Sequence, residues 1–236
     1  MLDFSRIEVL SFDCYGTLIN WETGILSTLG PILAAHGKTA SDAALLEMYG
    51  DLEAKAEQGE FRSYREVLQT VVRGFGKRLA FAPSDAEARS LPESMAHWEP
   101  FPDTVESLRR LKARYRLAII SNVDDDLFAA TVPKLGATFD HVITAQQARA
   151  YKPSLAIFQL AKTKIGVTAD RWLHVGQSIY HDVVPAKSLG LATVWVNRAS
   201  ARAGIGAVKP ASGKPDLEVS TLSALAELAL PRSGRG

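Results

Sequence analysis

The chain has 236 residues, 47% hydrophobic and 22% charged, which leaves room for one α/β domain or a core carrying a smaller insert. A net charge of +1 gives no electrostatic pull toward nucleic acid or an acidic membrane, and no apolar run reaches the roughly 18 residues that a spanning helix needs. Cys14 is the single cysteine. An intrachain disulfide is therefore excluded, and with no signal-peptide pattern around Asp3, Arg6 and Glu8 the expectation is a cytoplasmic protein with Cys14 as buried filler.

In chain order, the apolar run from Ile7 to Phe12 reads as a buried strand that stops at Asp13 and gives way to a turn at Gly16 and Thr17. The next stretch differs in kind. Helical patterns cover Thr23 to His36, Ser41 to Gln58, Ser63 to Leu79 and Ser84 to Trp98, with no convincing strand among them. An insertion of that length, residues 20–98, is too long for a loop and predicts an all-helical cap over the sheet edge, leaving 1–19 and 99–236 as the core. Beyond it, Thr104 to Arg114 predicts a helix with Val105, Leu108 and Leu111 on one face. Strands follow at Leu117–Ile120, His141–Thr144, Trp172–Val175 and Ala192–Val196, separated by helices at Asp124–Leu135, Ser154–Ile165 and Ser178–Leu189. Gly136, Gly166 and Gly190 close those helices. Residues 199–216 read as a flexible loop before a last strand and helix, Leu217 to Leu228. Strands alternating with helices predict a doubly wound, Rossmann-like parallel sheet.

Four strand ends carry polar residues suited to chemistry. The first delivers Asp13, Tyr15 and Thr17; the second, Ser121 and Asn122; a third leads to Lys152; the fourth delivers Gly176, Gln177 and Ser178, with Asp182 five residues after Gln177. In a parallel sheet these ends face one way and can converge on one pocket. Other chemical-looking residues have plainer readings. Asp124-Asp125-Asp126 is expected to be a solvated helix start, His181 to be structural, and Trp21, Tyr64 and Trp98 to be core. A Rossmann-type nucleotide binder is disfavoured, because no glycine-rich phosphate loop follows the first strand.

The ordered set resembles the haloacid dehalogenase superfamily: an aspartate followed four residues later by threonine (Asp13, Thr17), a serine after the second strand (Ser121), a lysine (Lys152) and, in part, an acidic fourth motif from Gly176 to Asp182. The resemblance spans residues 7 to about 198. It implies a parallel α/β core with a helical cap, and an Asp13 that attacks the substrate to form an ester which water then hydrolyses. Lys152 would hold that carboxylate ionised, Thr17 and Ser121 would donate hydrogen bonds to the charged centre, and Asp182 would orient or activate the water.

Most members of the superfamily are magnesium-dependent phosphatases, which place aspartates where this chain has Tyr15 and Gln177. Magnesium favours anionic oxygen ligands, so both replacements weaken that reading. The run Asp13-Cys14-Tyr15-Gly16-Thr17 instead resembles the L-2-haloacid dehalogenase branch, which uses no metal or other cofactor. By that resemblance Asn122 helps hold the halide, with Tyr15, Gln177, Ser178 and Phe158 also against the substrate; the partner is a small carboxylic acid, and a homodimer is allowed. Magnesium enters only under the phosphatase alternative. The branch's cap arginine has no counterpart between Arg6 and Arg62, which leaves Lys38, Lys55, Arg62 and Arg65 as stand-ins. Phe158 stands where the branch has a tyrosine, and Ile179 where it has an asparagine. The runs from Phe12 to Ile25, Phe101 to Glu106 and Ser178 to Asp182 also look like L-azetidine-2-carboxylate hydrolases, which open a strained ring at the same carbon. The remaining alternative is a binding module that keeps the fold without catalysis.

Overall fold

The computed structural model describes residues 2–198, 206–207 and 211–230. Six parallel strands form one sheet in the order β3-β2-β1-β4-β5-β6, namely β1 (Val9–Phe12), β2 (Arg116–Ser121), β3 (His141–Thr144), β4 (Trp172–Gly176), β5 (Ala192–Val196) and β6 (Leu217–Val219). All four residues of β1 and all five of β4 are buried. That is why these strands read as apolar runs, interrupted by Ser11 in β1 and His174 in β4, rather than alternating ones: a parallel sheet is covered on both faces. From β1 the chain winds outward through β2 and β3 on one side and returns to build β4, β5 and β6 on the other. The winding reverses at β1, and the crevice at the carboxyl ends of strands at such a reversal is where open sheets place their ligands.

Between β1 and β2 lie four α-helices: α1 (Trp21–Ala35), α2 (Asp42–Ala56), α3 (Tyr64–Leu79) and α4 (Asp85–Ser94). Their starts follow from local chemistry. Ser63 and Ser84 each accept the third helical N–H while Glu66 and Glu87 reach back to the cap, a reciprocal capping box at both helices. The remaining helices are α5 (Thr104–Lys112), α6 (Asp125–Leu135), α7 (Ala145–Ala148), α8 (Leu155–Ile165), α9 (Val184–Ser188) and α10 (Leu222–Ala229). Gly136 ends α6 with φ +61° and Gly166 ends α8 with φ +71°, left-handed positions that glycine adopts without strain.

Two helix expectations are amended. The helix expected over Ser84 to Trp98 is α4 followed by a 3₁₀ turn, Met95–His97, with Pro92 breaking the donor ladder. The helix expected from Ser178 begins as a π turn, Ile179–Val183, before α9. Asp182 N and Val183 N both donate to Ser178 O, and the wider turn swings the Asp182 side chain back against the end of β4. Gly176 makes this possible: a Cβ there would lie 2.4 Å from Asp182 Cγ. Most of the loop expected at 199–216 lies outside the described residues.

The Asp124–Asp126 run is a solvated helix start only in part: Asp125 and Asp126 are exposed in the first turn of α6, and Asp124 departs from the expectation. Asp124 is buried, and its two carboxylate oxygens accept the amides of Tyr64 and Arg65, each at 2.9 Å. It caps α3 from across the sheet edge, an anion on a helix N-terminus. Asp125 accepts from Thr144 Oγ1 and Gln147 Nε2, and Asp126 pairs with Arg65.

Candidate active site

The carboxyl ends of β1, β2 and β4 meet α1, α2 and α3 around a cavity of about 50 Å³. Asp13, Tyr15, Ser121, Asn122, Lys152, Gln177, Ser178, His181 and Asp182 line its floor and sides, while Trp21, Glu53, Glu57 and Tyr64 close it from the helical segment.

Asp13 directly follows β1 and is buried. Thr17 Oγ1 donates to its Oδ2 at 2.8 Å and Lys152 Nζ to its Oδ1 at 2.8 Å. Lys152 is 2% exposed, and its ammonium also donates to Asp182 Oδ1 at 2.6 Å and to Ile120 O at 3.0 Å. An ammonium has three N–H bonds and all three are committed. Its task here is therefore to hold two carboxylates, not to reach for a leaving group. The loop carrying it is fixed by Asn122, whose Oδ1 accepts from Lys152 N at 2.7 Å and whose Nδ2 donates to Lys152 O at 3.2 Å.

Asp182 is equally engaged. Its Oδ2 accepts from Ser178 N at 3.2 Å, and its Oδ1 faces His174 Nε2 at 3.3 Å as well as the lysine. His174 sits on β4 beside Ser11 of β1, with Nδ1 2.8 Å from Ser11 Oγ, which in turn accepts from Trp172 Nε1 at 2.7 Å. A carboxylate only accepts, so Nε2 carries the hydrogen; a singly protonated ring then leaves Nδ1 to accept from the serine. This chain beneath the floor fixes Asp182, which fixes Lys152.

Burial drives the charges in opposite directions. It would lower Lys152, yet Asp13 and Asp182 push the ammonium up to about 12. It would raise Asp182, yet Lys152 and His174 hold that carboxyl far below the usual range. It raises Asp13 above its ordinary value despite the pull of Lys152. Asp182 is therefore a weak base, better suited to holding Lys152 than to taking a proton from water.

Of the expected substrate contacts, Tyr15, Asn122, Gln177 and Ser178 line the cavity. Thr131 Oγ1 donates to Leu127 O, so the Tyr15 hydroxyl donates to Thr131 at 2.9 Å, and Tyr15 offers the cavity its ring rather than a proton. Phe158 does not line it. Fully buried on α8, it meets the His174 ring edge-to-face at 5.0 Å, a core contact below the floor. Trp21 and Tyr64, expected to be plain core, line the cavity, whereas Trp98 lies behind it against Tyr15. None of Lys38, Lys55, Arg62 or Arg65 lines it; Arg62 donates to Ala56 O and Arg65 pairs with Asp126.

Sequence reasoning passed over Glu53, on the face of α2 toward the cavity, and Glu57, which follows the last residue of α2 and also lines the cavity. Tyr49 and Tyr64 donate to Glu53 Oε1 at 2.8 and 2.5 Å, and burial raises the carboxyls of both glutamates. The signal was a glutamate on a stripe whose other buried members are Leu45, Leu46, Tyr49 and Ala56.

The donor set does not suit magnesium. Tyr15 and Gln177 bring no anionic oxygen, and the Lys152 ammonium already lies between Asp13 and Asp182. Among the described residues no group of three or more His, Cys, Asp and Glu is placed to hold a metal.

The profile of the haloacid dehalogenase-like hydrolases matches residues 7–190. The chain is 28% identical over 198 residues to (S)-2-haloacid dehalogenase H-109 of Pseudomonas putida, covering 83% of this chain and 88% of that one. It is also 28% identical to the (S)-2-haloacid dehalogenase of Pseudomonas sp. (strain YL), over 97% of both. The solved L-2-haloacid dehalogenase of Xanthobacter autotrophicus with chloropropionic acid covalently bound superposes with a TM-score of 0.78 at 22% identity, over 94% of this chain and 98% of that one. At that identity the likeness concerns the fold.

Proposed function

Since the chain belongs to the haloacid dehalogenase-like hydrolases, matched over residues 7–190, we propose that it hydrolyses small 2-substituted carboxylic acids by displacement on Asp13, with dehalogenation of 2-haloacids as the activity. The observation that carries this reading is Asp13 itself, at the cavity floor with Lys152 on one oxygen and Thr17 on the other. The curated relatives named above are (S)-2-haloacid dehalogenases, and Tyr15 in place of an acid suits a leaving group that needs no proton.

An Asp13 carboxylate oxygen attacks carbon 2, the carbon–halogen bond breaks with its electron pair on the departing halide, and an ester forms. Lys152 keeps the carboxylate ionised and remains beside it as the charge moves. Ser121 Oγ, 1% exposed and without a hydrogen-bond partner among the described residues, donates to the substrate carboxylate, as does the amide hydrogen of Asn122 not committed to Lys152. Water then adds to the Asp13 ester carbonyl; the hydroxy acid leaves and the carboxylate is restored. Asp182 serves by fixing Lys152. Residues 20–98 act as a cap that excludes bulk water and sets the substrate, and the enzyme works in the cytoplasm. No step calls for a metal.

Chloride release from (S)-2-chloropropionate in the presence of EDTA, lost in Asp13→Asn, is the expected result, with a mass increase on the Asp13 peptide when turnover is stalled. Phosphate release from p-nitrophenyl phosphate that requires magnesium, with no chloride release, would replace this reading by a phosphatase.

A further inference from the structure

An in-line displacement sends the leaving group away from the attacking atom. With Asp13 on the floor, the halide departs toward the roof, where α1, α2 and α3 bring Trp21, Glu53, Glu57 and Tyr64 to the cavity. No arginine lines the space, and all three hydrogens of the Lys152 ammonium are committed. The roof has few donors of its own. The Tyr64 hydroxyl is committed to Glu53 Oε1, an ionised glutamate only accepts, and Glu57 has a hydrogen to give only in its acid form. That leaves the Trp21 indole, a donor at every pH.

Three of the four tryptophans satisfy their Nε1–H inside the protein. Trp98 donates to Ser94 Oγ at 3.0 Å, Trp172 to Ser11 Oγ at 2.7 Å and Trp195 to Gln177 O at 2.8 Å. Trp21 Nε1 has no acceptor among the described residues, although the side chain is well fixed. Trp21 is the first residue of α1, and its ring meets Tyr49 edge-on at 5.7 Å. Its Nε1 lies beside the turn that carries the nucleophile, since a Cβ added to Gly16 would be 3.0 Å from it and 3.1 Å from Gln177 Oε1. Gly16, at φ +96°, therefore keeps that turn clear of the N–H. An indole N–H that lines a cavity without an acceptor is open to one that arrives with the substrate.

We propose that Trp21 is the catalytic residue for the leaving group: its Nε1–H donates to the halogen as the carbon–halogen bond breaks, and holds the halide that results. The proposal rests on the displacement reading above and adds the place where the halide is received. Asp13 forms the new bond to carbon 2, the carbon–halogen electron pair leaves on the halide, and the indole keeps its proton. The hydrogen bond strengthens as negative charge gathers on the halogen, so it favours the transition state over the bound substrate. The smaller, more charge-dense halide gains most from it.

Trp21→Phe keeps a ring against Tyr49 and removes the N–H. In single turnover, ester formation from (S)-2-chloropropionate is expected to slow at least about tenfold in this variant, and that from (S)-2-bromopropionate several-fold less. A merely structural role would slow both alike. A second measurement needs neither turnover nor a folded variant. With the indoles of the native protein labelled with nitrogen-15, one of the four Nε1–H signals is expected to move saturably as sodium bromide is added at constant ionic strength, and it is the signal missing from Trp21→Phe. Equal slowing with both substrates, no saturable movement of any indole signal, or movement of a signal that survives in Trp21→Phe overturns the proposal. The two readings fail separately. Chloride release by a protein whose indole signals ignore bromide removes the role of Trp21 and leaves the displacement standing. A saturable bromide response in a protein that forms no ester on Asp13 supports the halide-accepting indole and removes only the displacement.

Discussion

Replacing Lys152 with methionine keeps the length of the side chain and removes the one cation between Asp13 and Asp182. In the native protein its ammonium makes ion pairs of 2.8 and 2.6 Å and a third hydrogen bond to Ile120 O, at 2% exposure. Deleting one partner of a buried pair costs about 3–5 kcal/mol, because the charge left behind has neither water nor a counter-ion. Here two carboxyls are left facing each other, and the lost carbonyl contact adds about 1 kcal/mol. The melting temperature of a chain this long should therefore drop by roughly 8–24 °C at pH 8. The loss should shrink at lower pH. Without Lys152, burial and mutual repulsion hold the folded carboxyl values above the unfolded ones, so the penalty is full when both groups are ionised and relieved as one takes up a proton. Urea unfolding of both proteins at pH 5 and pH 8 reads this directly. A loss below about 1 kcal/mol at pH 8, or one equal at both values, would refute the role of Lys152 as the clamp. Chloride release should fall by about a thousandfold or more, since a proton shared between the two acids spoils the nucleophile.

Three further outcomes follow from the same geometry. Asp124→Ala removes both acceptors at the start of α3 and should cost about 2 kcal/mol in urea unfolding; Asp124→Asn, which keeps one acceptor, should cost less. Glu57→Gln should raise the melting temperature more at pH 8 than at pH 4. Burial and the neighbouring Glu53 hold the folded Glu57 carboxyl well above its ordinary 4.5, so the penalty on the folded state is absent below 4.5, grows as pH rises above it, and is complete once the pH passes that raised value. In the pH profile of kcat/KM, the acid limb should lie above the ordinary aspartate value of 3.8, because burial raises Asp13. Lys152 should impose no alkaline limb until the pH approaches about 12.

The sheet was legible because its strands are buried on both faces and bounded by glycines and polar caps; Trp172–Gly176 and Ala192–Val196 needed no tertiary information. The floor of the site was legible for a related reason, since parallel strands deliver their carboxyl ends to one edge whatever the side-chain details. What escaped was set by contacts across long sequence separations. Asp124 looks like any helix-start acid until α3, sixty residues earlier, is seen to end on it. Glu53 and Glu57 went unmarked, because which face of α2 is covered depends on α3, whose Tyr64 reaches Glu53. Phe158 was assigned by position in a motif, and the register of α8 turns it under His174 instead. The π turn at Ile179–Val183 has no signature in periodicity; it depends on the space beside Gly176.

The run from Ser121 to Asp124 leaves β2 as a single short link with two loads. Ser121 and Asn122 serve the floor, and Asp124 grips the first amides of α3, whose leading residue, Tyr64, is also in the roof. Anything that settles on the floor is thus mechanically wired to an aromatic ring overhead. A fluorinated tyrosine at position 64 would serve as a built-in gauge of occupancy, readable by NMR whether or not a bond is ever broken.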